Sequence, residues 1–160
     1  MIDLLIIADD FTGTLDTAVM FSQKGISTLA YASSKIEFER IPSHIRVVAV
    51  NADSRHLAST DAYNEVKSIA EKAKMHGIEM IFKKTDSVLR GNIGSELTAV
   101  MDVYETELFF IPAYPKMKRI TLNGYHYCDG VLLADSFLGN DVFDPIISSR
   151  VKNIIFSRKL

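Results

Sequence analysis

The 160-residue sequence carries a single cysteine, Cys128. No internal disulfide can form, and nothing calls for an oxidising compartment; Cys128 reads as a small structural hydrophobe. Long hydrophobic runs are missing as well. Leu4 to Ala8 and Ile45 to Val50 fall far short of the roughly 20 apolar residues that a membrane-spanning helix needs. No charge of one sign predominates, since the net charge is −2, so no bulk positive field draws nucleic acid or an anionic membrane. Asp3 stands near the start with no basic n-region or small-residue cleavage site, which argues against a secretory signal and leaves the cytoplasm as the expected compartment. His44, His56, His76 and His126 show no metal-ligand spacing, so a zinc site is not expected. Neither Gly-x-x-x-x-Gly-Lys-Ser/Thr nor Gly-x-Gly-x-x-Gly after a strand occurs, and no nucleotide-phosphate cradle is recognisable.

What is present is ordinary globular composition, 48% apolar and 24% charged, and enough length for one core. Short apolar runs alternate with segments of helical period. Asp3 to Ala8 is a near-continuous aliphatic run, as expected of a strand buried on both faces. Leu15, Ala18, Val19 and Ser22 then follow a helical period, between a capping Thr12 and Gly25. Ile26 to Ala32, Ile45 to Asn51 and Ile78 to Lys83 read as further strands. Ala62, Val66, Ile69, Ala70 and Ala73 form one stripe of an amphipathic helix from Ser59 or Thr60 to Gly77. Asn92 is expected to cap a helix carrying Ile93, Leu97, Val100, Met101 and Tyr104, and Glu107 to Ile111 a fifth strand.

The alternation predicts an α/β domain with a mostly parallel sheet flanked by helices. Asn123-Gly124 and Asp129-Gly130 are hairpin dipeptides and predict a small antiparallel meander near the C-terminus. Asn153 to Phe156 reads as a strand just begun, and the chain as a single incomplete domain over 1–160.

Polar residues gather after the carboxyl ends of the predicted strands, where open parallel sheets hold ligands. Asp9, Asp10, Thr12 and Gly13 follow the first; Asn51, Asp53, Ser54 and Arg55 the third. Lys83, Lys84, Thr85, Asp86, Ser87 and Arg90 follow the fourth; Pro112, Pro115, Lys116, Lys118 and Arg119 the fifth. Their convergence would make a site for a small, anionic, hydroxylated ligand. Each cluster also has a plainer reading: a capped turn for Asp9 to Gly13, an ion pair within the loop for Asp86 and Arg90, solvated loops for Arg55 and for Lys116 to Arg119. Two adjacent carboxylates beside a buried strand repel and cost desolvation, which favours use of the first. Arginine matches a carboxylate with two parallel hydrogen bonds and a helix amino terminus favours negative charge, which favours use of the 83–92 segment.

These residues carry a resemblance. Ile7-Ala8-Asp9-Asp10-Phe11-Thr12-Gly13 with Asp16 resembles the opening motif of four-carbon acid sugar kinases. Asn51-Ala52-Asp53-Ser54-Arg55, Lys83-Lys84-Thr85-Asp86-Ser87, Leu89-Arg90-Gly91-Asn92-Ile93-Gly94 and Pro112-Ala113-Tyr114-Pro115 match in order, as do Arg119, Thr121, Asn123-Gly124 and Asp144-Pro145. The resemblance implies a sugar-binding N-terminal domain of an enzyme that phosphorylates threonate, erythronate or an oxo-tetronate. It also implies that ATP and magnesium are held mainly by a C-terminal domain absent from this chain, so that a separate ATP-binding domain or chain is a partner. A sugar acid is the expected small-molecule partner, and the oligomeric state stays open to a homo-oligomer.

On this reading Arg90 and Arg55, helped by Lys84, grip the substrate carboxylate, and Asp9 and Asp10 bond its hydroxyls. Asp10 is the first choice for orienting or deprotonating the attacking hydroxyl, with Asp86 its rival. Thr12, Lys83, Ser87 and Arg119 complete the expected substrate-binding set. Two other readings stand beside it. One is a non-catalytic sugar-acid binding module. The other is a phosphohydrolase, because Asp10-Phe11-Thr12-Gly13-Thr14 resembles Asp-x-Asp-Gly-Thr with Thr12 in place of the second aspartate.

Overall fold

A computed structural model describes residues 2–142 and 144–157, Ser157 in its backbone only. Four strands form one sheet: β1 (Leu4–Ala8), β2 (Thr28–Tyr31), β3 (Val47–Asn51) and β4 (Ile81–Lys84), in the order β2-β3-β1-β4. All the pairings are parallel. β1 sits inside the sheet and every one of its residues is buried, which is why its sequence is apolar without alternation. Register decides where its loops go. Ala8 lies opposite both Asn51 and Lys84, so β1, β3 and β4 end level and release their loops at one edge.

Helix α1 (Phe11–Ser22) covers one face of the sheet, packing Ala18 against Leu4, Ile6, Val47 and Ala49. Helices α2 (Ser59–Met75) and α3 (Ile93–Tyr104) cover the other, over Leu5, Ile7, Val48 and Val50. The two sets of strand residues alternate, as the pleat requires. The expected α2 stripe of Ala62, Val66, Ile69, Ala70 and Ala73 is buried throughout. On α3 the buried stripe runs through Ile93, Leu97, Val100 and Val103, while Met101 is exposed.

The expected meander is present as β5 (Arg119–Leu122), β6 (Tyr125–Cys128) and β7 (Val131–Leu132). Its turns place Asn123 and Gly124 at φ 50° and 79°, and Asp129 and Gly130 at φ 52° and 82°. Two successive left-handed residues match the twist of a two-residue hairpin, and Asn-Gly and Asp-Gly tolerate them best. Cys128, Leu133, Ile146 and Ile154 join Val88, Leu89, Ile93 and Leu97 in a further apolar cluster that fastens this region to the main body.

Three local expectations are corrected. Residues 107–111 join neither sheet. Leu108 and Phe110 pack inward while Phe109 and Ile111 stand out, so the alternation is real but no neighbouring strand takes up the backbone. Asn153 to Phe156 lies in a helix, α4 (Val151–Ser157), which buries Ile154 rather than pairing; residues 158–160 lie outside the described set. The cap of α1 is Asp10, whose carboxylate accepts from Gly13 N at 2.8 Å, not Thr12, which sits exposed on the first turn. No helix among the described residues is long and apolar enough to cross a membrane.

Candidate active site

The level strand ends bring the charged loops together. Asp9, immediately after β1, is buried. Its main-chain carbonyl accepts from Ser54 N at 3.0 Å and Arg55 N at 3.2 Å, which ties the β1 and β3 loops edge to edge. Arg55 then turns its guanidinium back over them. Nε donates to Asp9 Oδ2 at 2.7 Å and Nη1 reaches Asp10 Oδ2 at 2.8 Å. The repulsion expected of adjacent carboxylates is answered by one planar cation between them. Nη2 lies 3.9 Å from Asp86 Oδ1, so the β4 loop enters the same group. Asp86 is gripped by Arg90, through Nε to Oδ2 at 2.6 Å and Nη2 to Oδ1 at 3.2 Å. The remaining arm of Arg90 donates from Nη1 to Asp141 Oδ2 at 2.9 Å. Asp144 Oδ2 accepts from Gly91 N at 2.5 Å, just before the start of α3.

Gly91 is required where it stands. Its φ is +87°, and a Cβ there would come within 3.1 Å of Arg55 Cγ. Asn92, expected as the cap of α3, spends its side-chain amide differently. Nδ2 donates to the carbonyls of Ser54, Arg55 and Leu57, holding the Arg55 backbone.

Burial shapes the titration of these groups. It pushes the Asp9 carboxyl up, and the Lys83 charge and the Arg55 hydrogen bond only partly reverse this. Asp9 Oδ1 is buried with no hydrogen-bond partner among the described residues. For Asp86 burial again acts upward, but the Arg90 hydrogen bond and the Arg55 and Arg90 charges outweigh it and hold the carboxyl below its ordinary value. The result is one carboxylate held in its charged form and one whose protonation is eased, linked through Arg55.

Residues 4–159 match the model of the sugar-binding N-terminal domain family. The chain belongs to this family. It is 34% identical over 154 residues to a D-threonate kinase of Salmonella typhimurium, covering 95% of this chain and 36% of the kinase. It is 29% identical over 157 residues to a D-erythronate kinase of Heliobacterium modesticaldum, covering 97% of this chain and 36% of that one. Each match therefore spans just over a third of the enzyme. A domain of unknown function from Bordetella bronchiseptica, crystallised as a domain-swapped dimer with bound citrate, superposes with a TM-score of 0.90 at 28% identity, over 97% of this chain and 40% of that one.

Within this sugar-binding domain, the residues expected at the site divide into groups. Asp9, Asp10, Arg55, Asp86 and Arg90 form one connected set. Lys84 stands beside it: its ammonium donates to Thr85 O at 2.6 Å, and a Cβ on Gly13 would lie 3.4 Å from it. Ser87 and Arg119 lie a layer further out, Arg119 Nη1 donating to Ser87 Oγ at 3.0 Å. Lys116 and Lys118 are exposed, with Lys118 near Asp129. Lys83 points into the interior, where Nζ meets Glu96 Oε2 at 2.7 Å while its charge still acts on Asp9.

Three sets of residues are not singled out as site residues by the sequence. Glu96 has a signal, because it lies three residues after Ile93 and four before Val100, on the apolar stripe of α3. Asp144 has only its place in the Asp144-Pro145 match, and Asp141 has no signal, both being loop acids far along the chain. His126 shares no ligand spacing with the other histidines, yet it is fully buried, with Nε2 3.1 Å from Ser87 O and Nδ1 2.9 Å from Thr121 Oγ1. A carbonyl can only accept, so Nε2 carries the proton and Nδ1 accepts from Thr121.

The donor set by itself does not fit a resident metal. Among the described residues no three His, Cys, Asp or Glu side chains gather to hold an ion. Asp9, Asp10 and Asp86 all face guanidinium groups.

Proposed function

We propose that this chain is the substrate-holding part of an ATP-dependent kinase acting on a four-carbon sugar acid such as threonate or erythronate. The observation that carries this reading is the position of Arg55, a single guanidinium bridging Asp9 and Asp10 with Asp86 at 3.9 Å. Forks of cation and carboxylate from three loops suit a ligand that is itself both carboxylate and polyol. Arg90 and Arg55, with Lys84, bind the acid group. Asp9 and Asp10 accept from hydroxyls, and the unpartnered Oδ1 of Asp9 is an acceptor in need of a donor. Asp10 orients or deprotonates the attacking hydroxyl, and Asp86 is its rival. Thr12, Ser87 and Arg119 border the ligand, while Lys83 acts from beneath. ATP and magnesium would be supplied by a separate domain or chain, and the residues of this chain hold and orient the sugar acid.

Relatives named as threonate and erythronate kinases support the substrate class. The test is calorimetric titration of threonate and erythronate into the chain and into Arg90→Ala. Wild type should bind one of them, and the variant at least about tenfold more weakly. Equal binding by both proteins, or none by wild type, overturns the proposal.

A second reading, sugar-acid capture without catalysis, needs only the forks of cation and carboxylate that this chain carries. Phosphoryl transfer in the presence of an added ATP-binding partner would exclude it. Nothing favours the phosphohydrolase. Asp10, the would-be nucleophile, caps α1 and is tied to Arg55.

A further inference from the structure

We propose that Glu96, acting through Ser54 and Lys83, is the positioning residue that fixes Asp9 in place and sets its charge. The inference rests on the sugar-acid reading for what Asp9 is used for, but the arrangement itself is independent of it.

The contacts form a continuous chain from Asp9 to Lys83. Asp9 O accepts from Ser54 N at 3.0 Å. Ser54 Oγ donates to Glu96 Oε1 at 2.6 Å. Glu96 Oε2 accepts from Lys83 Nζ at 2.7 Å, and Lys83 also donates to Lys84 O at 3.0 Å. Lys83 lies opposite Ile7 in the β1–β4 pairing. Asp9 follows Ile7 by two residues, so by strand alternation the lysine and the aspartate share the face that α3 covers. One glutamate on α3 thereby anchors both the loop that holds the Asp9 backbone and the cation whose charge acts on its carboxylate.

Simple stability does not account for such a pair. The side chains of Lys83 and Glu96 are 2% and 1% exposed, and a buried ion pair is seldom more stabilising than apolar side chains of equal volume. Its location does account for it, because Asp9 Oδ1 has no partner and a desolvated carboxylate keeps its charge only with nearby cations. The charged groups acting on Asp9 are Arg55 from the β3 loop, Lys83 from β4 and Glu96 from α3; Asp10, the cap of α1, and Asp86, from the loop after β4, meet the same Arg55 guanidinium, and Lys84 and Arg90 lie on the segment that carries Lys83 and Asp86. Among these Lys83 and Arg55 pull the carboxyl down against burial, and Glu96 works the other way.

Glu96→Gln keeps the shape but leaves the Lys83 charge uncompensated, so the Asp9 midpoint should fall. Lys83→Met with Glu96→Leu removes both charges, so it should rise. The experiment follows the Asp9 carboxyl carbon by NMR over a pH titration of the full chain, assigned with Asp9→Asn. Shifts of about one pH unit in opposite directions are expected; the apolar double variant decides alone if Glu96→Gln does not fold. As the pH is lowered, sugar-acid affinity of the double variant should begin to fall at a higher pH than that of wild type, with recovery when the pH is raised. Folded variants whose Asp9 midpoint matches wild type overturn the inference. So does loss of the fold in both, which would make the pair a structural brace. Failure of wild type to bind any sugar acid would sink the proposed function, and the Asp9 titration would still decide this one.

Discussion

Arg55 Nε lies 2.7 Å from Asp9 Oδ2, with the two side chains 13% and 2% exposed. The same guanidinium reaches Asp10 at 2.8 Å. A cation from the β3 loop thus neutralises both acids of the β1 loop, and the two loops are assembled by that contact as much as by the sheet beneath them.

Removing this cation should be costly. Arg55→Met leaves the Asp9 carboxyl buried beside Asp10 without its partner. Breaking a buried pair on one side costs about 3–5 kcal/mol, equivalent to a fall of roughly 10 °C in Tm for a chain of this size. Thermal unfolding followed by circular dichroism measures it. Asp9→Asn in the Arg55→Met background should recover part of the loss, since it removes the stranded charge.

Acid should act through Asp86. Burial alone would raise this carboxyl, but Arg90 and Arg55 hold it below its ordinary value. Its stabilisation is therefore complete above about pH 3.9, the unfolded value, and is lost as the pH falls through the lower folded value. Asp9 works in the opposite sense, because its raised value relieves a burial cost as the pH falls towards 3.9. Urea midpoints should hold or rise slightly from pH 7 to 4 and fall steeply below. Asp86→Asn should be weaker at pH 7 and flatter below pH 4; a curve parallel to wild type contradicts the assignment.

The meander should loosen at milder acidity. Burial pushes the His126 imidazole down, outweighing the contact with Ser87 O. Its contribution is complete above the unfolded value near 6.5 and is lost as the pH falls through the lower folded one. Amide exchange in β5 and β6, corrected for intrinsic rates, should quicken between pH 6.5 and 5. His126→Gln should remove that pH dependence.

Gly91→Ala should damage the site and the fold together. The left-handed backbone costs a non-glycine residue about 1–2 kcal/mol, and the new Cβ would lie 3.1 Å from Arg55 Cγ. Tm should fall by roughly 2–8 °C, and sugar-acid affinity should fall with it as Arg55 is displaced. Gly124→Ala, at φ +79° with nothing within 4 Å, should carry the strain alone and leave affinity unchanged.

Much of this was legible residue by residue. The unbroken apolar run of β1 and the stripe of α2 announce a buried strand and a helix on one sheet face. Asn-Gly and Asp-Gly announce the hairpins, because few other dipeptides accept two left-handed residues in succession. The strand-end clusters were visible too, and Asp10, Arg55, Asp86 and Arg90 do meet. Where the reading failed, the chain carried an ambiguous local pattern. Residues 107–111 alternate like a strand yet have no neighbour to pair with, and Asn153 to Phe156 is too short for its apolar residues to distinguish strand from helix.

The sequence by itself determined the alternation of strand and helix, the parallel sheet and the edge at which polar loops would gather, because burial leaves a periodic mark along the chain. Only the tertiary structure decided which charges are partners. Lys83 looked like its neighbour Lys84, yet one faces Glu96 inside the core and the other stands at the start of α1. Arg90 reaches Asp141, 51 residues away. Electrostatic interaction depends on distance through space and on exclusion of water, and neither quantity is written in the spacing of residues along the chain.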